Sequence, residues 1–306
     1  MHGILGSGFG LYGYLPALLQ HQSGPVLVLQ DARERLLARP ELAWTLPRIT
    51  WTADRQELLA RASVLAIALP PELQQQLLES LAPAPGLQAV LLEKPVACSP
   101  QPARQVLGIA RAQQWKLRVG YTLPHTRWFA SLAARPDLRS ADRLELEWTF
   151  MAHHFRTELD TWKRHHVQGG GVLRFYAIQI LALLERLGYR AITSAKVSGD
   201  AAMPERVEAE ASAQTLPPLQ FRVDSRNSTT AFRMRAWTGK NVITLLELPD
   251  PFARETLAPL LDTRIDALRG ILGSLREDDA AHDAAGMRVI DLWEQAEDCA
   301  REGLPP

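Results

Sequence analysis

The sequence has 306 residues and carries 34 basic and 34 acidic side chains, so its formal net charge is zero. A chain of this length can bury two hydrophobic cores, whereas a balanced charge provides no field that attracts nucleic acid or an anionic membrane. No run of about 18 uncharged apolar residues occurs, so we expect a protein that does not span a membrane. The two cysteines, Cys98 and Cys299, make no disulfide framework, which favours the cytoplasm. From the balanced charge we expect no binding to nucleic acid.

The first 121 residues alternate short apolar runs with amphipathic segments. Uninterrupted apolar runs are typical of parallel strands that are buried on both faces. The predicted strands are Gly3–Leu5, Val26–Leu29, Val64–Leu69, Val90–Leu92 and Arg118–Tyr121. The predicted helices are Tyr12–Gln22, Arg55–Ala62, Glu72–Leu81 and Pro102–Gln114. This alternation predicts an α/β Rossmann domain with a doubly wound parallel sheet over residues 1–121.

The pattern changes after Tyr121, where Leu144–Phe150 alternates apolar and polar residues as half-exposed antiparallel strands do. Residues 122–306 are therefore predicted to form an α+β domain with an open, mainly antiparallel sheet, which binds substrate and forms a subunit contact. The other predicted strands are Ile192–Val197, Leu219–Val223, Thr230–Trp237 and Asn241–Leu248. Helices are predicted at Val172–Leu187, ended by Gly188, and at Ala284–Arg301, which is a candidate to pack back on the first domain.

A glycine-rich turn follows the first predicted strand. Its sequence is Gly6-Ser7-Gly8-Phe9-Gly10-Leu11, with leucine at the sixth position, where the dinucleotide-binding fingerprint has glycine or alanine. Glycine serves such a turn because the backbone bends tightly, approaches the pyrophosphate closely and packs its helix on the strand. The phosphates then lie at a helix N-terminus, where free N–H groups favour anions. We expect the residues from Gly6 to Leu11 to hold a dinucleotide.

Asp31 ends the next strand, 21 residues after Gly10, at the position where an acid binds the ribose hydroxyls. A carboxylate there repels a 2′-phosphate and favours NAD over NADP. Arg33 and Arg35 follow at once and are candidates to accept such a phosphate. The predicted cofactor is therefore NAD or NADP, with NAD preferred.

Five further motifs occur in a characteristic order. They are Leu15-Pro16-Ala17-Leu18 after the glycines, Ile67-Ala68-Leu69-Pro70-Pro71, Leu92-Glu93-Lys94-Pro95, Gly120-Tyr121, and Trp162-Lys163 before Gly169-Gly170-Gly171. Together with the glycine turn they resemble the glucose-fructose oxidoreductase and inositol dehydrogenase family, Gfo/Idh/MocA. The resemblance covers nearly the whole chain and implies an NAD(P)-dependent oxidoreductase.

The resemblance also implies roles for individual residues. The lysine of the Glu-Lys-Pro motif, here Lys94, lies in such enzymes beside the nicotinamide and the substrate carbon that gives or takes hydride. The other residues that the resemblance assigns to the cofactor are Leu69, Pro70, Glu93 and Tyr121. The residues predicted to bind the substrate are Lys94, Trp162, Lys163, Phe175 and Gln179, together with His125, which lies at or near a plausible edge of the site.

An ammonium at position 94 stabilises the negative charge that develops on oxygen when a carbonyl is reduced. For Lys94 to act as a base, its pKa must fall from ~10.4 through desolvation or the positive charge of oxidised nicotinamide.

The segment after the triple glycine departs from the family pattern. The family has an aspartate and, four residues later, a histidine on one helix face, whereas this chain has Phe175 and Gln179. Glutamine forms hydrogen bonds but does not exchange a proton near neutral pH, so the usual acid/base residue is missing.

Three explanations remain open for the proton transfer. Lys94 carries it alone, another donor substitutes, or catalysis has been lost and a binding fold remains. The candidate substitutes are Tyr176, Tyr121, His125, His165 and His166. We favour the first two together and predict Lys94, Tyr176 and Gln179 as the catalytic residues.

The function predicted from the sequence is hydride transfer between nicotinamide and a carbonyl or alcohol of a sugar-like or nucleotide-sugar substrate. One alternative is a reductase of an unsaturated or imine group in a larger apolar substrate, because Phe175 makes the pocket floor apolar. Another is a non-catalytic dinucleotide sensor or scaffold. The histidine pairs 153–154 and 165–166 lack the acids or cysteines of a recognisable metal site, so no metal is predicted. A homodimer through the open sheet is predicted.

Overall fold

The structure is a computed structural model, and it describes residues 1–81, 86–252 and 261–302. These residues divide into two compact units. The first unit comprises residues 1–97, 102–125 and 261–284, apart from the undescribed residues 82–85. The second unit comprises residues 98–101, 126–252 and 285–302.

The first unit contains a six-stranded, fully parallel sheet in the order β3-β2-β1-β4-β5-β6. Its strands are β1 (His2–Leu5), β2 (Val26–Leu29), β3 (Ile49–Thr52), β4 (Val64–Ile67), β5 (Ala89–Leu92) and β6 (Lys116–Val119). This order is that of a dinucleotide-binding Rossmann fold, so the predicted parallel sheet is confirmed. The strand β3 was not predicted, because it lies at the edge of the sheet and is only half-buried over Ile49–Trp51.

The helices of this unit mostly start and end within two residues of the predicted positions. They are Leu15–His21, Arg55–Arg61, Pro71–Ser80 and Pro100–Ala112, with a short additional helix at Arg33–Leu37. The predicted helix Tyr12–Gln22 is instead a π-helical turn, Gly10–Tyr14, that runs into Leu15–His21.

One further helix of the first unit, Ile265–Gly273, comes from late in the chain. It packs against the helix Leu15–His21, and its buried apolar side chains, such as Leu268 and Ile271, belong to the same core cluster as Leu15. The predicted boundary at Tyr121 assigns these residues to the second domain, whereas they complete the core of the first. The helix itself was not predicted.

The second unit contains a six-stranded sheet in the order β12-β11-β7-β10-β9-β8. Its strands are β7 (Arg143–Met151), β8 (Ala191–Gly199), β9 (Pro204–Ser212), β10 (Leu219–Asp224), β11 (Arg226–Thr238) and β12 (Asn241–Leu248). Within this sheet, as far as the structure describes it, β7 and β10 pair in parallel and the other neighbours are antiparallel. The predicted mainly antiparallel sheet is confirmed. The strand β9, whose buried residues include the small Ala209 and Ala211, was not predicted.

A π-helical turn over Val172–Ala177 precedes the helix Ile178–Leu187 in this unit, in place of the predicted regular helix from Val172. Gly188 ends the helix in the left-handed conformation, with φ +115°. The stretch His166–Leu187 is apolar and long enough to cross a membrane by composition, but 78% of its most apolar window is buried inside the structure. That burial is typical of the core helix of a globular unit. The last helix spans Asp279–Glu302, five residues longer at its start than predicted.

Candidate functional site

The glycine turn after β1 has a different constraint at each glycine. Gly6 has φ +120°, and a Cβ there would lie 2.3 Å from the carbonyl oxygen of Ala68. A Cβ on Gly10 would lie 3.1 Å from Ile4, which reflects the close packing of the turn on β1. A Cβ on Gly8 would meet no atom of the described residues within 4 Å, so that side of the backbone is open to a ligand. These are the features that let backbone N–H groups approach a pyrophosphate.

Leu11, which interrupts the glycine fingerprint, does not obstruct this turn. Its side chain is 2% exposed and belongs to the hydrophobic core of the first unit. Its amide donates to the carbonyl of Gly8 at 2.9 Å, which closes the turn. Gly10 has taken over the close-packing role, so the residues present fit a dinucleotide.

The structure distinguishes the two arginines that follow Asp31. Asp31 is exposed in a short turn directly after β2. Arg35, rather than Arg33, donates to the hydroxyl of Ser7 in the glycine turn. An open groove of about 520 Å³ runs beside this contact, lined by Ser7, Gly8, Tyr12, Arg35, Ala38, Arg39 and Glu41. A cation therefore stands at the edge of the glycine turn.

Lys94 follows β5 and is 6% exposed. The backbone on both sides of it is held by Gln74, whose amide donates to the carbonyl of Glu93 at 2.9 Å and to that of Pro95 at 3.1 Å. The Lys94–Pro95 peptide bond is cis. Gln74 is fully buried on the helix Pro71–Ser80, and no sequence motif identified it.

Glu93 is held in place by Tyr14, the last residue of the π-helical turn that follows the glycines. The hydroxyl of Tyr14 donates to the Glu93 carboxylate at 3.1 Å. Burial, and then the nearby Glu93 charge, raise the pKa of Tyr14 well above its ordinary value, so the hydroxyl stays protonated. A Cβ on Gly120 would lie 2.5 Å from the Tyr14 hydroxyl and 2.7 Å from the Glu93 carboxylate. Glycine at 120 therefore makes room for this pair.

The predicted cofactor residues of this unit follow strands of one sheet. Gly6 follows β1, Leu69 and Pro70 follow β4, Glu93 and Lys94 follow β5, and Tyr121 follows β6. Because these strands are parallel neighbours, the residues lie along one edge, where α/β sheets bind ligands. Burial raises the pKa of Tyr121 above its ordinary value, so it remains a protonated hydroxyl.

His125 lies against the returning helix of the same unit. A Cβ on Gly270 of that helix would lie 3.2 Å from both the Cβ and the ring Nδ1 of His125.

In the second unit, the triple glycine allows close backbone packing. A Cβ on Gly170 would lie 2.1 Å from the carbonyl oxygen of Trp162 and 2.6 Å from the carbonyl carbon of Lys163. The amide of Gly171 donates to the Lys163 carbonyl at 2.9 Å. Trp162-Lys163 and the triple glycine, which are separate motifs in the sequence, therefore form one backbone-packed loop.

The side chains at the positions of the family's aspartate and histidine differ in their surroundings. Gln179 is buried, 4% exposed, on the helix Ile178–Leu187. Phe175 is half-buried in an aromatic cluster, with its ring centre 5.3 Å from that of Trp162 and 4.8 Å from that of Tyr176. Phe150 extends the cluster, 4.8 Å from Tyr176. We call Phe150, Trp162, Phe175 and Tyr176 the aromatic cluster.

Two cationic or polar groups border the aromatic cluster. The Lys163 ammonium lies 5.5 Å from the centre of the Phe175 ring. The ring of His154, which the sequence suggested only as a metal ligand, lies 6.1 Å from that of Tyr176. Burial, and then the charge of Lys163, lower the pKa of His154 to about 4. His154 is therefore neutral at pH 7.

The other two histidine candidates have defined partners or surroundings. His165 forms a hydrogen bond with Asp160. Burial, and then the charge of Arg174, lower the pKa of His166. Arg174 donates from Nε and Nη2 to both carboxylate oxygens of Glu297, at 2.7 and 2.8 Å, and from Nη1 to the carbonyls of Cys98 and His166. This arginine, which was not predicted, fixes the loop before the triple glycine.

Comparisons with known proteins agree with this geometry. Residues 2–121 match the sequence model of an oxidoreductase family with an NAD-binding Rossmann fold, Gfo/Idh/MocA. No curated protein matches the chain.

Several solved structures share the fold. GenD2 from gentamicin A biosynthesis, in complex with NAD, has a TM-score of 0.74 and 17% identity, covering 99% of this chain and 94% of its own. A myo-inositol dehydrogenase from Corynebacterium glutamicum has a TM-score of 0.72 and 14% identity, covering 100% and 98%. The WlbA dehydrogenase from Chromobacterium violaceum, in complex with NADH and UDP-GlcNAcA, has a TM-score of 0.73 and 14% identity, covering 99% and 95%. At these identities the likeness establishes the fold.

Proposed function

We propose that this protein transfers hydride between a nicotinamide dinucleotide and a carbonyl or alcohol carbon, because residues 2–121 match the model of the Gfo/Idh/MocA oxidoreductase family, which has an NAD-binding Rossmann fold. The observation that carries the proposal is Lys94, a buried lysine fixed at the end of β5 on the same sheet edge as the glycine turn. We propose a sugar-like or nucleotide-sugar substrate. The nucleotide sugar in the WlbA structure supports that class.

The glycine turn would hold the phosphates of the dinucleotide, and Asp31 would bind its adenosine ribose. When bound, the nicotinamide supplies the hydride acceptor or donor. We propose NAD as the preferred cofactor, because the exposed Asp31 carboxylate repels a 2′-phosphate. NAD in the GenD2 structure supports this choice. Arg35 opposes it, since its contact with Ser7 places a cation within reach of the same part of the ligand.

Lys94 acts on the oxygen of the reacting carbon. In the direction of reduction, negative charge develops on that oxygen, and the ammonium stabilises it and donates a proton. In the direction of oxidation, a neutral Lys94 takes the hydroxyl proton as hydride leaves. The hydrogen bonds from Gln74 to the carbonyls of Glu93 and Pro95 fix the backbone that carries it, so little orientation is lost before reaction.

Gln179 and Tyr176 replace the missing histidine and aspartate only in part. Gln179 donates or accepts hydrogen bonds but moves no proton near neutral pH. Tyr176 provides a hydroxyl next to Phe175, at the lost aspartate position, and is proposed as a second donor to the substrate. We therefore propose that Lys94 is the main proton donor and acceptor and that Tyr176 assists it.

The aromatic cluster favours a second candidate function, the reduction of an unsaturated or imine group in a larger apolar substrate. The rings of Phe150 and Phe175 both pack edge to face on Tyr176, and Phe175 stands where the family pattern has an aspartate. Such a reaction requires a hydride, which the reduced nicotinamide would supply, and one proton, which Lys94 would supply without a histidine.

The test is a turnover assay with NAD(H) and NADP(H) against a panel of sugars and nucleotide sugars and a panel of cyclic imines and conjugated compounds. We expect oxidation or reduction within the first panel, and activity confined to the second panel would establish the alternative function. Tight cofactor binding without turnover in either panel would identify a dinucleotide-binding sensor.

Lys94→Ala tests the chemistry on whichever substrate is found. We expect kcat to fall about a hundredfold or more while the dissociation constant for the cofactor stays nearly unchanged. Lys240→Ala, which removes an exposed lysine of the second unit, is the matched control. Turnover of Lys94→Ala at the wild-type rate would remove this lysine from the mechanism.

A further inference from the structure

Arg264 brings a cation from late in the chain to the glycine turn. It immediately precedes the helix Ile265–Gly273, in the part of the chain that belongs to the first unit. Its guanidinium carbon lies 4.0 Å from the centre of the Phe9 ring. Phe9 is the residue between Gly8 and Gly10, so this cation lies against the middle of the turn.

The guanidinium is held rigidly on its other side. Its Nε donates to one carboxylate oxygen of Asp262 at 2.9 Å, and its Nη2 donates to the other at 2.7 Å. Burial alone would lower the pKa of Arg264, but the hydrogen bonds and charge of Asp262 raise it, and the charge of Glu93 acts in the same direction. Among residues 1–81, 86–252 and 261–302, nothing accepts a hydrogen bond from Nη1. The Arg264 side chain is 30% exposed, so part of this ordered cation reaches solvent.

Phe9 is equally well fixed. Its ring meets Tyr12 and Tyr14 edge to face, with ring centres 5.3 and 5.5 Å apart. A Cβ on Gly13 would lie 2.2 Å from the ring, so the ring packs directly on the backbone of the following turn. The Phe9 ring and the arginine that lies over it are therefore ordered beside the turn, and the outer side of Gly8 in the same turn is open.

We propose that Arg264 binds the diphosphate of the dinucleotide. This inference rests on the cofactor binding proposed above. The turn from Gly6 to Leu11 contains no charged side chain, so its backbone N–H groups provide only partial positive charge to a ligand with two negative charges. A guanidinium fork matches phosphate oxygens in geometry, and one that is already ordered loses little entropy on binding. Because Asp262 neutralises part of its charge, the contribution is that of a charged hydrogen bond rather than of a full ion pair.

The test compares two ligands that share the diphosphate, NADH and ADP-ribose, on the purified full-length protein. We expect Arg264→Gln to weaken both by the same factor, about tenfold, and Arg264→Lys to weaken both by about threefold, since it keeps the charge but loses the fork. Arg276→Gln, an exposed arginine later in the same part of the chain, should change neither dissociation constant. The dissociation constant of wild type for ADP-ribose should also rise more steeply with salt than that of Arg264→Gln.

Wild-type affinity for both ligands in Arg264→Gln would overturn the proposal. Weakened NADH binding with unchanged ADP-ribose binding would also overturn it, because Arg264 would then serve the nicotinamide half. If Arg264→Gln does not fold, as judged by circular dichroism, Arg264→Lys decides by the same comparison. Failure of the wild type to bind either NADH or NADPH is a separate result, which contradicts the proposed function itself.

Discussion

The glycine turn allows a prediction that separates folding from ligand binding by a single methyl group. Gly6→Ala and Gly8→Ala add the same atom two residues apart, in opposite surroundings. The Gly6 methyl would meet the Ala68 carbonyl oxygen at 2.3 Å with the backbone at φ +120°, whereas the Gly8 methyl would have no neighbour within 4 Å among the described residues.

The magnitudes follow from these contacts. For Gly6→Ala, the left-handed backbone costs about 1–2 kcal/mol and the clash with backbone about 1–3 kcal/mol more, so the free energy of unfolding should fall by about 2–5 kcal/mol. For Gly8→Ala, it should change by less than about 0.5 kcal/mol. The same methyl would keep a phosphate from the backbone and remove one charged hydrogen bond of about 1.5–3 kcal/mol, so cofactor affinity should fall about tenfold to a hundredfold.

The assay combines urea unfolding, for stability, with fluorescence titration of NADH and NADPH, for affinity. Gly108→Ala is the control, because its methyl would also meet no described atom within 4 Å, inside the helix Pro100–Ala112. It should stabilise the protein by about 0.5–1 kcal/mol without changing affinity. Wild-type cofactor affinity in Gly8→Ala would show that the dinucleotide phosphates do not lie on this turn, and full stability of Gly6→Ala would contradict the close approach of its backbone to Ala68.

Three further predictions concern the cofactor, pH and assembly. Asp31→Ala removes the carboxylate and should shift the ratio of NADPH affinity to NADH affinity toward NADPH by about tenfold, whereas Arg35→Ala should shift this ratio toward NADH. Parallel titrations with the two cofactors measure the ratio. Equal ratios in the wild type and both variants would exclude these residues from cofactor choice. The pKa of His154 is about 4 in the folded protein against 6.5 as the ordinary value, so its stabilising contribution is complete above pH 6.5 and is lost as the pH falls toward 4. The free energy of unfolding should therefore drop less between pH 6.5 and pH 4 in His154→Gln than in the wild type, by up to about 3 kcal/mol. His153→Gln, at an exposed neighbouring position, should drop as much as the wild type. Light scattering should give twice the mass of the chain, and a monomer at micromolar concentration would contradict the predicted homodimer.

Much of the first unit could be predicted because its signals are local. Buried parallel strands such as β2 and β5 are continuous apolar runs, and the spacing of Asp31 from Gly10 follows from the length of one strand–helix–strand step.

What could not be predicted depends on long-range contacts. Arg264 lies far from Phe9 along the chain, and nothing local in its sequence indicates on which unit it packs. Gln74 reads as one polar residue of an amphipathic helix, and its role appears only once the carbonyls of Glu93 and Pro95 lie beside it.

The second unit shows a different limit. Its motif Gly169–Gly171 predicts a close backbone approach but not which segment approaches, and the structure shows that this segment is Trp162-Lys163. The π-helical turn at Val172–Ala177 also changes how Phe175 and Gln179 relate, because the regular spacing of four residues on one helix face no longer applies.

In the proposed function, this chain binds a nicotinamide dinucleotide on the glycine turn, and hydride passes between that cofactor and the substrate. The most direct measurement is a fluorescence titration of the purified protein with NADH and NADPH in parallel. We expect micromolar binding of at least one of them, with NADH the tighter. Failure to bind either would contradict the oxidoreductase function and leave a Rossmann fold that recognises another ligand.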